Sequence, residues 1–141
     1  MTGVGGPLIT IVGSYVVGLT IAVDRAPVGG ETVIGSGFDE GPGGKGSNQA
    51  IQVARLGGDA ALIAVVGTDR HGDEAMALWA AEAIDVAHVA RRADVATGVG
   101  FIVVESDGEN RIVIDRGANE LLGAASVDAA SERIGRSRVV I

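Results

Sequence analysis

The sequence predicts an α/β fold: a doubly wound, mostly parallel sheet flanked by helices, with a small β-sheet beside it. Residues 8–12 and 60–66 are short, almost wholly apolar runs, which is the pattern of strands buried on both faces. A helical pattern over residues 47–56 lies between these two runs, and alternating strands and helices build parallel sheets. Two further stretches, residues 19–24 and 97–104, alternate apolar with polar side chains, and they predict the small sheet.

The first helix carries Ala50, Ile51 and Ala54 at helical spacing, and the pair Gly57 and Gly58 provides a stop signal. A second helix is predicted after Gly72, where acidic side chains occupy the first turn. Its predicted buried face has the spacing i, i+3, i+4 and i+7: Met76, Trp79, Ala80 and Ala83. A third helix is predicted to begin at Ser126. Its predicted buried side chains are Val127, Ala130 and Ile134.

The amphipathic stretches predict antiparallel strands, each with one buried face. Residues 97–104 lead through a turn at Asp107 and Gly108 into the strand 111–114, as in a hairpin. A last apolar strand begins at residues 138–141, and nothing in this sequence follows it to complete a sheet. We therefore expect the C-terminal part of the fold to be missing.

Composition excludes several classes of protein. The 141 residues have a net charge of −7 and no cysteine, so a disulfide scaffold and a cysteine-based metal site are excluded. No basic cluster exceeds the pair Arg91 and Arg92, which argues against nucleic-acid and membrane partners. Residues 1–7 carry no Lys or Arg and no leader pattern, so a cytoplasmic protein is expected.

The densest functional signal is the glycine-rich segment 41–50, which runs into the N-terminus of the first helix. Glycines permit close backbone approach, and the first turn of a helix offers unpaired N–H groups. Lys45 is the one lysine in the chain, and it adds a cation beside the amide of Asn48. The segment therefore suits hydroxyls or an oxyanion, although a surface turn leading into a helix is the alternative.

Other motifs are weaker. The P-loop pattern fails because Asp39 and Gly46 occupy two of its required positions. The dinucleotide pattern G-x-G-x-x-G is met by Gly41, Gly43 and Gly46, with Asp69 as a candidate ribose ligand. The preceding residues 31–38 are not a buried apolar run, so a dinucleotide-binding domain is the less favoured alternative. No metal site is predicted, because His71 and His88 are isolated in sequence and fit solvated or capping roles better.

Several segments, taken in order, resemble the ribokinase-like (PfkB) sugar kinases over nearly the whole chain. They are 11–14 (IVGS), 30–32 (GET), 43–50 (GGKGSNQA), 54–57 (ARLG), 66–69 (VGTD), 97–98 (TG), 108–110 (GEN) and 117–119 (GAN). The element 43–50 is the specific signature among them. The resemblance implies that residues 1–141 are the N-terminal part of such a kinase domain, with lid strands near 15–40 and 95–116.

The resemblance also implies ATP-dependent phosphorylation of a sugar hydroxyl with magnesium, often with a monovalent cation, and lids that often pair into a homodimer. Gly43, Gly44, Lys45 and Asn48 would bind the sugar. The family's catalytic aspartate and most of its nucleotide site belong to a C-terminal half that this sequence lacks, so no catalytic residue is assigned. The alternative is a non-catalytic sugar-binding remnant. Val16 and Gly18 stand where ribokinases have Asn and Asp, so the sugar itself is not predicted.

Overall fold

The computed structural model describes residues 6–141. The segment 1–7, for which no leader pattern is found, therefore lies mostly outside the described residues. The elements are, in chain order, β1 Leu8–Val12, β2 Val16–Ala22, β3 Ser36–Gly43, α1 Lys45–Arg55, β4 Asp59–Gly67, α2 Arg70–Ala81, β5 Asp85–Arg92, β6 Gly98–Val104, β7 Asn110–Asp115, a 3₁₀ helix Gly117–Leu121, α3 Ala124–Ala129, α4 Ser131–Arg136 and β8 Val139–Val140. No helix in this range is both long and apolar enough to cross a membrane.

The parallel sheet confirms the predicted fold class. Its strand order is β5-β4-β1-β8, and every pair in it is parallel. Residues 60–66 of β4 are at most 3% exposed, because helices cover both faces of a doubly wound sheet. Strand β1 lies where the order reverses: the chain moves to one side through β4 and β5 and returns to the other side as β8. In such sheets ligands bind beyond the carboxyl ends of the strands at this reversal.

The second sheet has the order β3-β2-β6-β7. The predicted antiparallel hairpin is confirmed for β6 with β7, and β2 also has an antiparallel partner, β3. The prediction is wrong for the central pair, β2 with β6, which is parallel. Alternation along a strand reports which side chains share a face and carries no information about strand direction. The chain leaves the parallel sheet after β1 and again after β5, so β2 and β6 start from the same edge and run the same way.

The first three residues of the glycine-rich segment are strand and not loop. Gly41, Pro42 and Gly43 pair with Gly18, Val17 and Val16 as the end of β3. Helix α1 begins at Lys45, two residues before the predicted start, so that Gly44 alone joins strand to helix. Because β3 is an exposed antiparallel strand, the glycines lack the buried parallel strand that a dinucleotide site requires.

Two helices differ from their predictions. The buried face of α2 is Gly72, Ala75 and Trp79, while Ala80 is exposed and Ala83 lies beyond the helix with a φ of 56°. The third predicted helix is divided into α3 and α4, because Ala130 leaves helical geometry at the point where it is fully buried.

Side chains from α1, from α2 and from the segment between β1 and β2 join the two sheets in one core. Tyr15 and Trp79 meet edge to face with ring centroids 5.4 Å apart, and both are nearly inaccessible. The Trp79 indole N–H donates to the buried Oγ of Ser47 at 2.9 Å, which satisfies both polar groups. These contacts fix the start of α1 against α2 and β2, beside the glycine joint.

Candidate functional site

A cleft of about 660 Å³ lies at the carboxyl end of β1, between the second sheet and the start of α1. Strand register places alternate residues of all four strands of the second sheet on the wall of this cleft. The residues that line it are Ser14, Val16, Gly18, Thr20, Asp39, Gly41, Pro42, Gly43, Gly44, Lys45, Gly100, Ile102, Ile112, Ile114, Arg116 and Asn119. The second sheet therefore forms one side of a cleft whose floor is the strand-to-helix joint.

Close backbone packing explains two of the glycines. Gly44 has a φ of +93°, and a Cβ there would lie 2.5 Å from the carbonyl oxygen of Ser14 and 2.7 Å from Cα of Tyr15. Gly46 faces Gly13 so closely that a Cβ would be 2.6 Å from the Gly13 Cα. The joint needs glycine because the backbone of β3 and α1 passes directly over the end of β1. These glycines are thus required for protein packing, in addition to any approach of a ligand.

The structure brings three of the four predicted sugar-binding residues to the cleft. Gly43, Gly44 and Lys45 line it, whereas Asn48 is exposed one turn further along α1 and is not among the lining residues. In residues 6–141 no carboxylate lies within ion-pair distance of Lys45. The cleft therefore has an ammonium group free to donate three hydrogen bonds.

Asn119 connects two segments of the cleft by hydrogen bonds. Its Oδ1 accepts from the Tyr15 N–H at 3.0 Å, and its Nδ2 donates to the carbonyls of Tyr15 and Arg116 at 2.8 Å each. Both amide hydrogens are used, so this side chain positions the 3₁₀ helix against β2. Arg116 and Asn119 line the same cleft as Lys45.

Sequence reasoning missed Asp39 as a lining residue. It pairs with Thr20 across β2 and β3, and both side chains are on the cleft face. Period-two alternation from Gly41 and Gly43 would have placed Asp39 on the same face, once residues 36–43 were known to be a strand.

The wall formed by the second sheet is largely apolar. Its apolar part comes from Val16 and Gly18 of β2 and from Ile102, Ile112 and Ile114 of β6 and β7, while Thr20 and Asp39 are its polar side chains. Ile112 and Ile114 are 50% and 55% exposed, so they present apolar surface directly to the open cleft. The other polar side chains that line the cleft are those of Ser14, Lys45, Arg116 and Asn119.

Asp69 caps a helix and does not face this cleft. Its carboxylate accepts from the Gly72 N–H at 2.8 Å and from the N–H and hydroxyl of Thr97 at 2.7 Å each. Burial acts to raise the pKa of Asp69, but the hydrogen bonds from Thr97 and Gly72, together with His71, outweigh burial and lower it. The candidate ribose ligand of the dinucleotide alternative is therefore an N-cap that ties α2 to the start of β6.

A doubly wound α/β domain with an open cleft where the strand order reverses belongs to the class of α/β proteins that bind ligands at this edge of the sheet. Residues 7–139 match the model of the pfkB family carbohydrate kinases. The chain belongs to this family. It is 38% identical over 133 residues to a ribokinase of Mus musculus, across 94% of this chain and 41% of that protein.

Solved structures of ribokinases have the same fold as this chain. A ribokinase from Giardia lamblia superimposes with a TM-score of 0.87 at 34% identity, over 96% of this chain and 41% of that one. An Arabidopsis thaliana ribokinase complexed with ribose and ATP gives a TM-score of 0.77 at 26% identity, over 96% of this chain and 44% of that one. The chain thus spans less than half the length of these relatives.

Proposed function

We propose that this chain forms the sugar-binding part of a carbohydrate kinase that transfers a phosphoryl group from ATP to a sugar hydroxyl. The observation that carries the proposal is the free ammonium group of Lys45 on the floor of an open cleft, beside Gly43 and Gly44. Residues 1–141 act as the N-terminal part of the kinase domain, and the second sheet acts as its lid.

In this proposal the floor of the cleft provides hydrogen bonds to the sugar, and its wall provides apolar contacts. Lys45 donates hydrogen bonds to sugar hydroxyls, and the backbone at Gly43 and Gly44 allows the ring to approach the joint. Asn48 reaches the sugar from the first turn of α1 if the lid closes over that turn. The wall residues pack against the carbon skeleton of the sugar, whose ring faces are apolar.

The wall also limits which sugars are favoured. Val16 and Gly18 replace an amide and a carboxylate by groups without hydrogen-bonding side chains. Without polar partners at these two positions, this part of the wall cannot reject a substrate that lacks the hydroxyl facing it. We therefore propose that plain ribose is not strongly preferred over sugars that lack a hydroxyl facing this wall.

The residues described here do not form an ATP site by themselves. The remaining clefts contain arginines that are already paired with carboxylates: Arg70 with Glu40 and Glu74, Arg92 with Asp94, Arg111 with Glu105, and Arg133 with Asp59 and Asp85. A polyphosphate and its magnesium need unpaired donors and positive charge. No catalytic step is therefore assigned to a residue of this chain, and a purely sugar-binding role for the isolated chain is the second candidate.

The outer face of the second sheet suggests a partner. Phe101 and Val113 are paired across β6 and β7 and are 53% and 71% exposed, and Phe38 of β3 is 66% exposed. Exposed apolar surface of this kind is typical of a protein interface. In line with the family resemblance, we propose a homodimer through this face, in a cytoplasmic protein with neither nucleic-acid nor membrane partners.

Replacement of the cleft cation tests the proposed function. With the sugar that binds most tightly in a panel of pentoses, deoxypentoses and hexoses, Lys45→Ala should weaken binding by about 1–3 kcal/mol, which is about 5- to 150-fold. Isothermal calorimetry measures this affinity. Thermal unfolding should change little, because Lys45 is exposed.

Arg138→Ala is the matched control, because Arg138 is an exposed cation whose backbone N–H donates to the carbonyl of Leu8, at the opposite end of β1 from the cleft. It should leave sugar affinity unchanged. Equal affinity in the Lys45→Ala variant and the unmodified chain would contradict the proposed site.

A further inference from the structure

A histidine and two glutamates come together outside the cleft, between the second sheet and α2. Glu40 lies on β3, while His71 and Glu74 lie in the first turns of α2. The Nδ1 atom of His71 is 3.6 Å from Oε1 of Glu40 and 3.6 Å from Oε2 of Glu74. One ligand atom from each side chain lies within 4.8 Å of the other two. Folding thus unites three side chains that are dispersed in sequence.

The Nδ1 atom of His71 is buried and has no hydrogen-bond partner among residues 6–141. Both carboxylate oxygens in front of it are beyond hydrogen-bond distance, so a proton on Nδ1 would not join them. A buried ring nitrogen without a partner is costly. The separation matches a shared ion instead, because ligands about 2.1 Å from a tetrahedral zinc are about 3.4 Å apart.

We propose that Glu40, His71 and Glu74 bind a divalent transition-metal ion, with zinc the best match. Imidazole nitrogen suits zinc, and carboxylate oxygens complete a three-ligand set that leaves one position for water. The site is separate from the proposed sugar cleft, since Glu40 and Glu74 line a different cleft with Arg70 and Leu78. A metal held by all three would link β3 of the second sheet to the body of the fold.

Arg70 is the competitor for this metal. Its guanidinium donates to Oε1 of Glu40 at 2.6 Å and to Oε1 of Glu74 at 2.8 Å. The Arg70 side chain is 64% exposed, so it can release both carboxylates and extend into water. The two glutamates still act on a neighbouring group. The pKa of Tyr15 is raised, first by burial and then by the negative charges of Glu74 and Glu40. A metal ion would therefore compete with Arg70 for Oε1 of Glu40 and for the negative charge of Glu74.

Calorimetric titration of the purified chain with zinc chloride alone tests this site, without any sugar or nucleotide. One zinc ion should bind, and His71→Gln should weaken binding at least about tenfold, the smallest loss usual for perturbing a metal site. His88→Gln, which changes the other histidine of the chain, should leave the affinity unchanged. Arg70→Gln should tighten binding, because it removes the competing cation.

Glu74→Gln provides a second loss variant at a more exposed position, in case His71→Gln disturbs folding. The proposal is overturned if zinc binding is not saturable. It is overturned as well if His71→Gln and Glu74→Gln both bind zinc with the affinity of the unmodified chain. It is also overturned by an equal loss in His88→Gln, or by an Arg70→Gln variant that binds zinc no more tightly. None of these outcomes depends on sugar binding, so failure here leaves the proposed function untouched.

Discussion

Asp69 shows how one side chain connects separate parts of this fold. It accepts hydrogen bonds from Gly72 at the start of α2 and from Thr97 just before β6. Thr97 in turn accepts from the Gly67 N–H at the end of β4. A single carboxylate thus holds α2, β4 and β6 together, which is why the segments 66–69 and 97–98 lie side by side.

Asp69→Asn should lower the free energy of unfolding by about 2 kcal/mol at pH 7, because an amide cannot accept from all three donors. The pKa of Asp69 is lowered in the folded state, so its contribution is fully present above the unfolded pKa of about 3.9. The contribution is lost as the pH falls through the folded pKa. Urea unfolding between pH 7 and pH 2 should therefore show that the free energies of unfolding of Asp69→Asn and of the unmodified chain converge at acid pH.

Asp128→Asn is the control for this comparison, since Asp128 is an exposed carboxylate on α3. It should stay within about 0.5 kcal/mol of the unmodified chain throughout. A constant difference between Asp69→Asn and the unmodified chain down to pH 2 would show that the carboxylate charge makes no contribution.

The strand-to-helix joint is the element on which the cleft depends. Gly44→Ala should destabilise the fold by about 3 kcal/mol or more, since it combines a φ of +93° with a Cβ placed 2.5 Å from the Ser14 carbonyl. Gly57→Ala is a matched control: φ is +84° there, but a Cβ would meet nothing within 4 Å. It should cost only about 1–2 kcal/mol.

Thermal or urea unfolding of both variants measures the difference. If Gly44→Ala costs no more than Gly57→Ala, then β3 and α1 do not pass as closely over β1 as described, and the cleft floor has a different shape.

Elements were predictable from sequence where burial on both faces leaves a uniform apolar run, as in β4. Strand β5 was missed because, at the edge of the sheet, it mixes valines with Asp85, His88, Arg91 and Arg92. Strand β3 was missed because its glycines and acids have no strand pattern of their own, and only pairing with β2 keeps them extended. Both failures come from tertiary contacts that override local preference.

The candidate site was predictable to the extent that it depends on adjacent residues. The segment 43–48 could be assigned from its glycines, its single lysine and the helix that follows. Asp39 and the three isoleucines of the wall could not be assigned, because only the pairing register of the second sheet places them on the face of the cleft. The cluster of Glu40, His71 and Glu74 was likewise hidden, because Glu40 is distant in sequence from the other two residues.

At the scale of the whole molecule, the isolated chain should bind sugar without transferring phosphate. Since we propose that these residues do not form a complete ATP site, we predict no sugar-dependent release of ADP from ATP. Val139, Val140 and Ile141 are 46–47% exposed at the edge of the parallel sheet, and an open apolar edge favours pairing with another chain.

A sizing column should therefore show association, and Val140→Lys should reduce it by placing a charge on the edge. Measurable turnover from a well-behaved monomer of these 141 residues would contradict both parts of this prediction.

The central claim, that the cleft beside Gly44 binds a sugar, is tested most directly through Lys45. Because the chain contains one lysine, an amine-reactive reagent labels a single side chain, and mass spectrometry of its peptide reports the rate. We predict that a binding sugar from the panel slows labelling of Lys45 in a saturable way, while glycerol at the same concentration does not. A labelling rate that no sugar in the panel changes would contradict the account.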